Sequence, residues 1–244
     1  MSQYEPFAEI YDEWSEHMTE DIEFYVQLAR EAEGPIVELA VGNGRVAIPL
    51  VRETGRKVIG IDLSPAMLAQ ARERARAEGV DLELRQGDMR ELELDEPADL
   101  IYSPFRSLLH LRTWRDRRRV FERVAGSLRR GGRFAWNAFV FDPMIAARLS
   151  GEVRQHADDS RIWERVEYAP TDSRIDITAW VDKPGEGERK LSLWWVNRSE
   201  WEGPHRGRGA RSGGALRRLR PATARRSGPG VHLGRAEAVM RRAH

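Results

Sequence analysis

Hydrophobic residues along the first 140 positions follow two alternating patterns. Short apolar or alternating runs, which are typical of strands, lie at residues 36–41, 57–62, 81–86, 99–102 and 133–139. Between these runs, apolar residues recur every three to four positions and predict helices at residues 45–53, at residues 65–78 behind the N-cap Ser64, and from Thr113 onwards. This order of strands and helices predicts an α/β fold, in which a doubly wound, mostly parallel sheet carries helices on both faces.

The segments on either side of this core follow other patterns. Residues 1–33 carry apolar side chains at helical spacing and predict a helical N-terminal segment. Three antiparallel strands are expected after the fifth parallel strand, at residues 162–168, 174–181 and 190–197. We therefore expect one domain over residues 1–203, with its parallel core at residues 34–142 and an antiparallel β insertion at residues 160–198.

A glycine turn and a spaced acid stand at the ends of the first two strands. Gly42 and Gly44 follow the first apolar run, and Asp62 ends the second run eighteen positions after Gly44. Glycines let a ligand approach the backbone closely, and a carboxylate at this place can accept hydrogen bonds from both hydroxyl groups of a ribose. The third glycine of a dinucleotide fingerprint is missing, and Ile48 follows in the helix instead. The pattern predicts a site for an adenosine-like ligand without a pyrophosphate.

These motifs, over residues 4–201, resemble those of class I S-adenosylmethionine-dependent methyltransferases of the small-molecule type. The matching features, in chain order, are Glu38, the turn from Gly42 to Gly44, Asp62, and the run Gly87-Asp88-Met89. The resemblance implies a Rossmann-like fold, S-adenosylmethionine as cofactor, and methyl transfer as the activity. It also implies that Asp62 binds the ribose, that Asp88 and the Met89 amide bind the adenine, and that the glycine turn binds the methionine moiety. The expected cofactor-binding residues are Tyr11, Glu38, Ala40, Gly42, Gly44, Asp62, Leu63, Asp88, Met89 and Ser103.

The same resemblance implies residues for the methyl acceptor. The substrate-binding residues expected from it are Tyr4, Phe105, Arg106, Asn137 and Trp195. Tyr4 and Tyr11 resemble lid tyrosines that close over the cofactor, although they would equally serve as packing residues of a helix. His110 is the predicted catalytic residue, a general base with a pKa near the working pH; its alternative is a surface or helix-start histidine.

The tryptophans of the β insertion have two interpretations. They line an acceptor pocket, or they cover the core face of the antiparallel sheet; they are Trp163, Trp180, Trp194 and Trp195.

The predicted reaction is in-line attack of an oxygen or nitrogen nucleophile on the sulfonium methyl group, in which alignment and exclusion of water supply most of the catalysis. The Asn/Asp-Pro-Pro-Tyr motif of enzymes that methylate amide or base nitrogens is absent, since Ser103-Pro104-Phe105-Arg106 stands in its place. We therefore expect a small-molecule acceptor and no nucleic acid partner. Two alternatives remain: a non-catalytic cofactor-binding or regulatory protein, and an NAD-dependent oxidoreductase, which the missing glycine disfavours.

The composition narrows the class of protein. The 244 residues include no cysteine, which excludes disulfides, thiolate metal sites and a cysteine nucleophile. No cluster of histidines and acids has metal-ligand spacing, so we predict no metal. Residues 1–12 lack a signal-peptide pattern, and no apolar stretch approaches the roughly 20 residues of a membrane helix. We expect a cytoplasmic monomer or homodimer without a membrane partner.

The net charge of +1 conceals a change of composition at Pro204. Residues 204–244 hold eleven arginines and one acid, a charge of +10, whereas residues 1–203 hold 29 bases and 38 acids, a charge of −9. Read through the genetic code one nucleotide downstream, the tail is compatible with a helix, a glycine and two strands, followed by a stop near Val239. We interpret it as a frameshifted tail. The alternative, an arginine-rich nucleic-acid arm, is disfavoured because the tail has no aromatic residue to stack on bases.

A frameshift would remove the last helix and strand, so we expect an uncovered sheet edge and reduced stability. Resequencing the gene tests the interpretation, and a clean single frame through Gly203 that encodes the tail would contradict it.

Overall fold

The structure is a computed structural model that describes residues 2–140, 142–196, 201 and 234–241. Its α-helices are α1 (Ala8–Ser15), α2 (Ile22–Arg30), α3 (Ala47–Thr54), α4 (Pro65–Ala77), α5 (Trp114–Ser127) and α6 (Pro143–Leu149). Its strands are β1 (Ile36–Leu39), β2 (Val58–Asp62), β3 (Glu83–Gln86), β4 (Ala98–Ser103), β5 (Leu128–Val140), β6 (Val153–Gln155), β7 (Ile162–Ala169), β8 (Arg174–Val181), β9 (Arg189–Trp194) and β10 (Gly234–Arg241). No helix in these ranges is long and apolar enough to cross a membrane.

The strands form two sheets. The larger sheet has the order β10-β5-β4-β1-β2-β3, in which β5 to β3 are parallel and β10 pairs antiparallel with β5. The smaller sheet is antiparallel, in the order β6-β7-β8-β9. This arrangement confirms the predicted doubly wound sheet with an antiparallel β insertion. Strand β6 and helix α6 were not expected from the sequence.

Strand β1 ends two residues earlier than the sequence predicted. Ala40 has a positive φ of 57°, a conformation that L-residues rarely adopt, and the chain leaves the sheet there. The strained alanine turns the backbone directly into the glycine turn that begins at Gly42, which also has a positive φ of 57°. The two residues therefore aim the turn at the carboxyl edge of the sheet.

The parallel sheet is buried on both faces. Along β4, Leu100 and Tyr102 pack into an apolar cluster with α2 and α3, whereas Ile101 packs into a second cluster that contains residues of α5 and of the antiparallel sheet. Because neighbouring residues of a strand point to opposite faces, this alternation explains the continuous apolar run that predicted the strand.

The N-terminal segment bridges the two sheets. On the core side, Ser64 Oγ donates to Glu5 at 2.6 Å. On the insertion side, the Ser192 amide donates to Gln3 Oε1 at 2.6 Å, and Trp14 Nε1 lies 2.8 Å from His156 Nδ1. The segment therefore crosses the carboxyl edge of the parallel sheet and is fixed from both sides.

The C-terminal tail is described only in part. Residues 204–233, which carry most of the proposed frameshift, lie outside the described residues, whereas Trp201 is buried and helical. Strand β10 runs antiparallel to β5 from Gly234 to Arg241. The expectation of an uncovered sheet edge was therefore wrong, because backbone hydrogen bonding to an edge strand does not require a particular side-chain pattern.

Candidate active site

A cavity of about 280 Å³ opens at the carboxyl ends of the parallel strands, beneath the N-terminal segment. Ten residues predicted for the site line it, namely Tyr4, Tyr11, Ala40, Gly42, Asp62, Leu63, Asp88, Met89, Phe105 and His110. Six predicted residues do not line it, namely Glu38, Gly44, Ser103, Arg106, Asn137 and Trp195. The cavity lies where ligands bind in doubly wound sheets.

Asp62 lines the cavity at the end of β2. Its two carboxylate oxygens accept hydrogen bonds from the backbone amides of Gly42 and Ser64, both at 2.8 Å. The residue is 8% exposed, and burial raises the pKa of its carboxyl while these amides oppose the rise. Backbone donors therefore fix the carboxylate, whose remaining acceptor capacity faces the cavity and suits a pair of hydroxyl groups.

The glycine turn has little room for side chains. A Cβ at Gly42 would lie 3.3 Å from Met67 Cε, and a Cβ at Gly44 would lie 2.7 Å from Ile48 Cδ1. Both glycines have positive φ, so a substitution would also be strained. Ile48 fills the place beside Gly44 at the start of α3, where a dinucleotide site would need open space for a pyrophosphate.

Asp88 belongs to a chain of charges along the cavity wall. Arg90 donates to the Asp88 carboxylate at 2.6 Å and reaches Asp116 at 3.3 Å. The hydrogen bonds from Arg90 lower the pKa of the Asp88 carboxyl, and those from Thr113 and Arg90 lower that of Asp116. Asp88 is therefore charged at neutral pH, and any contact with an adenine amino group would be shared with Arg90.

Glu38 lies beneath the cavity rather than in it. It is 1% exposed, and Tyr102 donates its hydroxyl to Glu38 Oε2 at 2.7 Å. Burial raises the pKa of this carboxyl to about 8, against the lowering effect of the Tyr102 hydrogen bond. A direct cofactor contact by Glu38 is thus not supported by its position, because its side chain faces the buried tyrosine.

The raised pKa of Glu38 predicts a pH-dependent stability. The folded protein holds the proton between the ordinary pKa near 4.5 and about pH 8, so the contribution of Glu38 is full below that range and is lost as the pH rises through it. Glu38→Gln keeps an acceptor for Tyr102 and removes the titration. We expect wild type to lose stability relative to this variant between pH 5 and 9 in thermal unfolding; a constant difference would contradict the assignment.

Tyr4 and His110 line the cavity and contact each other. Tyr4 Oη lies 3.1 Å from His110 Nε2, and the two rings meet edge to face with centroids 4.9 Å apart. Burial lowers the pKa of the His110 ring to about 3, assisted by the nearby cation of Arg106. The expected pKa near the working pH was therefore wrong: desolvation penalises the imidazolium, and the ring is neutral at pH 7.

Asn137 and Phe105 show how the wall behind Tyr4 is built. Phe105 has a φ of 60°, a strained conformation, and its amide donates to Asn137 Oδ1 at 3.1 Å. Asn137 also accepts the Tyr25 hydroxyl and is 3% exposed. Asn137 is thus a positioning residue for Phe105, and the predicted substrate contact is wrong because its side chain points into the protein.

The other residues outside the cavity have packing roles. The Arg106 guanidinium lies over the rings of Phe105 and Trp14, at 4.3 and 5.6 Å from their centroids. Ser103 is 1% exposed at the end of β4, and Gly44 packs against α3. Trp195 packs near Tyr168, with centroids 6.3 Å apart.

The tryptophans of the insertion do not line the cavity. Trp180 is 2% exposed and pairs with Trp163 of β7, and both lie on the face of the antiparallel sheet opposite to the core residues Ile175, Ile177 and Ala179. Trp194 contacts the cavity indirectly, through Arg112. Trp195 packs against the core cluster, as the second interpretation expected, whereas Trp163 and Trp180 neither line the cavity nor cover the core face.

Several lining residues were missed by the sequence analysis. They include Gln3, Met67, Arg90, Arg112 and Asp116. Arg90 could have been predicted from the sequence, since it follows the predicted site residue Asp88 by two positions. The others come from helix starts and chain ends that only the tertiary fold brings to the cavity. Among the residues that the structure describes, no group of three or more His, Asp or Glu side chains could hold a metal ion.

Comparison with known proteins shows which family the residues around the cavity match. Residues 36–132 match the family model described as a methyltransferase domain. This segment is a methyltransferase domain. It runs from the start of β1 into β5, so it contains the glycine turn and the acids of the cavity, and the expected methyltransferase class is confirmed for this domain.

Relatives of the methyltransferase domain differ in how much of the chain they cover. A curated protein of Bacillus subtilis (strain 168), named as a methyltransferase, is 35% identical over 123 residues, 50% of this chain and 49% of the relative. The chain spans about half the length of the first curated relatives it matches. The dTDP-4-amino-2,3,4,6-tetradeoxy-D-glucose N,N-dimethyltransferase of Saccharopolyspora spinosa is 28% identical over 196 residues, 75% of this chain and 76% of the relative.

Solved structures share the fold. An S-adenosylmethionine-dependent methyltransferase from Clostridium acetobutylicum ATCC 824 superposes with a TM-score of 0.68 and 18% identity over the full length of both chains. DesVI from Streptomyces venezuelae superposes with a TM-score of 0.65 and 23% identity, over 95% of this chain and 97% of that chain. At these identities the likeness establishes the fold.

Proposed function

We propose that this chain transfers the methyl group of S-adenosylmethionine to an amine nitrogen of a sugar-like small molecule. The observation that carries the proposal is one cavity with two chemically different groups of lining residues, which we name the Asp62 end and the acceptor end. The Asp62 end offers a fixed carboxylate and backbone groups for an adenosine, and the acceptor end, at Tyr4 and His110, offers neutral polar groups and aromatic rings. Curated relatives named as amino-sugar N,N-dimethyltransferases support an amine as the acceptor.

The residues at the Asp62 end fit the cofactor. Asp62 would hold the ribose hydroxyls, and the apolar side chains of Leu63, Met67 and Met89 would enclose the adenine. The close contact that a Cβ at Gly42 would make with Met67 explains why the turn needs a glycine beside the ligand. When bound, S-adenosylmethionine supplies an activated methyl group.

The residues at the acceptor end orient the acceptor nitrogen toward the methyl group and do not transfer a proton. The acceptor nitrogen forms its bond to the methyl carbon as the carbon–sulfur bond breaks, and the electron pair of that bond stays on sulfur. Tyr4 is partly buried, and this desolvation raises the pKa of its hydroxyl, so the group stays protonated and acts as a hydrogen-bond partner. The N-terminal segment above it excludes water. Orientation of this kind supplies several kcal/mol of a displacement barrier.

Because His110 is neutral down to about pH 3, we expect no inflection of activity near pH 6.5. The rate follows the deprotonation of the acceptor amine instead. His110→Asn should lower kcat less than about tenfold, whereas loss of a true general base costs roughly 100-fold to 10,000-fold. A pH profile of kcat for wild type and variant checks this; a loss above 100-fold together with an inflection near pH 6.5 in wild type would restore the general-base role.

The proposal is tested by mass spectrometry of acceptor panels. The full chain is incubated with S-adenosylmethionine and amino sugars, free and nucleotide-linked, beside the matching sugars with hydroxyl in place of the amine. We expect mass gains of one or two methyl groups only on the amines. Methylation of the hydroxyl sugars alone would contradict the amine assignment, and binding of the cofactor without any turnover would favour the non-catalytic alternative.

The remaining expectations are part of the same proposal. A cytoplasmic location, a monomer or homodimer, and the absence of a nucleic acid partner accompany a small-molecule enzyme. The division into an N-terminal lid at residues 1–33, a cofactor-binding core and a substrate-side β insertion also stays a prediction. Its most direct check is limited proteolysis with and without S-adenosylhomocysteine.

A further inference from the structure

Arg90 occupies most of the hydrogen-bonding capacity of the Asp88 carboxylate. The Arg90 amide donates to Asp88 Oδ1 at 2.9 Å, its Nε lies 3.0 Å from both carboxylate oxygens, and its Nη2 donates to Oδ2 at 2.6 Å. A carboxylate has about four lone-pair sites, so these N–H groups leave about one site open. The Asp88 side chain lines the cavity and is 24% exposed. It can therefore accept about one further hydrogen bond from a ligand.

Asp116 holds the same arginine from the other side. Arg90 Nη1 donates to Asp116 Oδ1 at 3.3 Å, and both residues line the cavity. Asp116 is itself fixed by Thr113, the N-cap of α5, whose hydroxyl donates to Asp116 Oδ2 at 2.6 Å and accepts from the Asp116 amide at 3.0 Å. A planar guanidinium that is bound along two of its edges has little rotational freedom. The contacts thus fix the Asp88 carboxylate to the start of α5.

We propose that Arg90 and Asp116 are positioning residues for the nucleobase of the cofactor, and that they hold the Asp88 carboxylate with its open acceptor site toward the amino group of adenine. This inference rests on the proposed function, which puts an adenosine in this cavity. Adenine presents an N–H donor at its 6-position, whereas hypoxanthine presents a carbonyl oxygen, which an acceptor held in one orientation cannot bind. Arg90 and Asp116 therefore determine selectivity for adenine without contacting the reacting atoms.

Arg119 provides a matched control for Arg90. It donates to the Arg90 carbonyl at 3.0 Å and to Glu91 at 2.6 Å, so it also joins α5 to the short turn Met89–Glu91. Its side chain is 50% exposed, close to the 41% of Arg90. Within the described part of the chain, Arg119 neither lines the cavity nor donates a hydrogen bond to Asp88. Arg119→Gln therefore loosens the turn and leaves the carboxylate held.

The test is calorimetric titration of the full chain with S-adenosylhomocysteine and with S-inosylhomocysteine, in which an oxygen replaces the adenine amino group. We expect wild type and Arg119→Gln to bind the adenosine compound at least about tenfold more tightly than the inosine compound. In Arg90→Gln this ratio should fall to about threefold or less, because the carboxylate is free to rotate. Arg90→Lys keeps the charge, loses the planar pair of donors and should give an intermediate ratio.

Asp116→Asn keeps an acceptor for Thr113 and removes the charge that holds Arg90. We expect a smaller fall in the ratio than for Arg90→Gln, and no further fall in the double variant, because Asp116 acts through Arg90. If S-adenosylhomocysteine does not bind wild type, the proposed function is overturned together with this inference. Where it binds, the inference alone is overturned by a wild-type ratio near one, by an unchanged ratio in Arg90→Gln, by the same fall in Arg119→Gln, or by additive losses in the double variant.

Discussion

Replacing Asp62 with asparagine is expected to weaken S-adenosylmethionine binding by about 100-fold or more. The carboxylate is fixed by the amides of Gly42 and Ser64, and it is the group in the cavity best placed to accept two ribose hydroxyls. Each hydrogen bond to a charged group is worth about 1.5–3 kcal/mol, so loss of a pair corresponds to a factor of roughly 100 or more. In asparagine, one of the two side-chain oxygens becomes an NH2 group. This donor would face one of the two backbone amides, which is a donor as well.

The measurement for Asp62 is calorimetric titration of S-adenosylmethionine, with thermal unfolding recorded on the same samples. Asp81→Asn, a change of the same kind at an exposed position, serves as the control and should bind like wild type. A folded Asp62→Asn protein that binds within a few fold of wild type would show that the ribose lies elsewhere.

Replacing Asp21 with alanine is expected to lower the free energy of unfolding by about 3–5 kcal/mol, because it leaves a buried arginine without its counter-charge. Arg45 directs two nitrogens to the Asp21 carboxylate, at 2.6 and 2.9 Å, and its other donor contact is the Met18 carbonyl. The Asp21 side chain is 2% exposed and that of Arg45 10%. The pair joins the start of α2 to the glycine turn, so its loss also loosens the N-terminal segment.

The measurement for Asp21 is urea unfolding, and two variants provide controls. Glu73→Ala breaks the exposed pair with Arg76, whose side chains are 72% and 76% exposed, and should cost less than about 1 kcal/mol. The double variant Asp21→Leu with Arg45→Met removes both charges and should recover much of the loss. Equal, small effects of Asp21→Ala and Glu73→Ala would contradict a buried, energetically coupled pair.

The cofactor end of the site was predictable from sequence because its signals are local. The glycine turn, Asp62 and Asp88 lie at strand ends. At these positions the apolar pattern of a strand changes to the three-to-four-residue spacing of a helix. Since the carboxyl ends of parallel strands meet at one edge, the pattern also brings these residues together. The cavity lining contains most of them.

The acceptor end was less predictable, because it depends on contacts between distant segments. The ring of His110 contacts Tyr4, 106 positions away, and its pKa is lowered by burial and by the neighbouring cation of Arg106. The inward orientation of Asn137 depends on Tyr25 and on the strained backbone of Phe105. No periodicity in the sequence carries such information.

The C-terminal tail shows a different limit of prediction from the sequence. Its composition differs sharply from the rest of the chain, yet residues 234–241 still pair with β5 as an edge strand. An edge strand forms through its backbone donors and acceptors and needs no hydrophobic pattern. The composition of residues 234–241 therefore did not predict the strand. Resequencing of the gene and comparison of the stability of both forms would separate the proposed frameshift from a native tail.

One cavity is proposed to hold the cofactor at Asp62 and the acceptor at Tyr4 and His110. A crystal structure of the full chain with S-adenosylhomocysteine is the decisive experiment. We expect the ribose hydroxyls on the Asp62 carboxylate, the adenine beside Asp88 and Met89, and the sulfur facing Tyr4 and His110. An adenosine bound at the Tyr4 end, or outside the cavity, would contradict it.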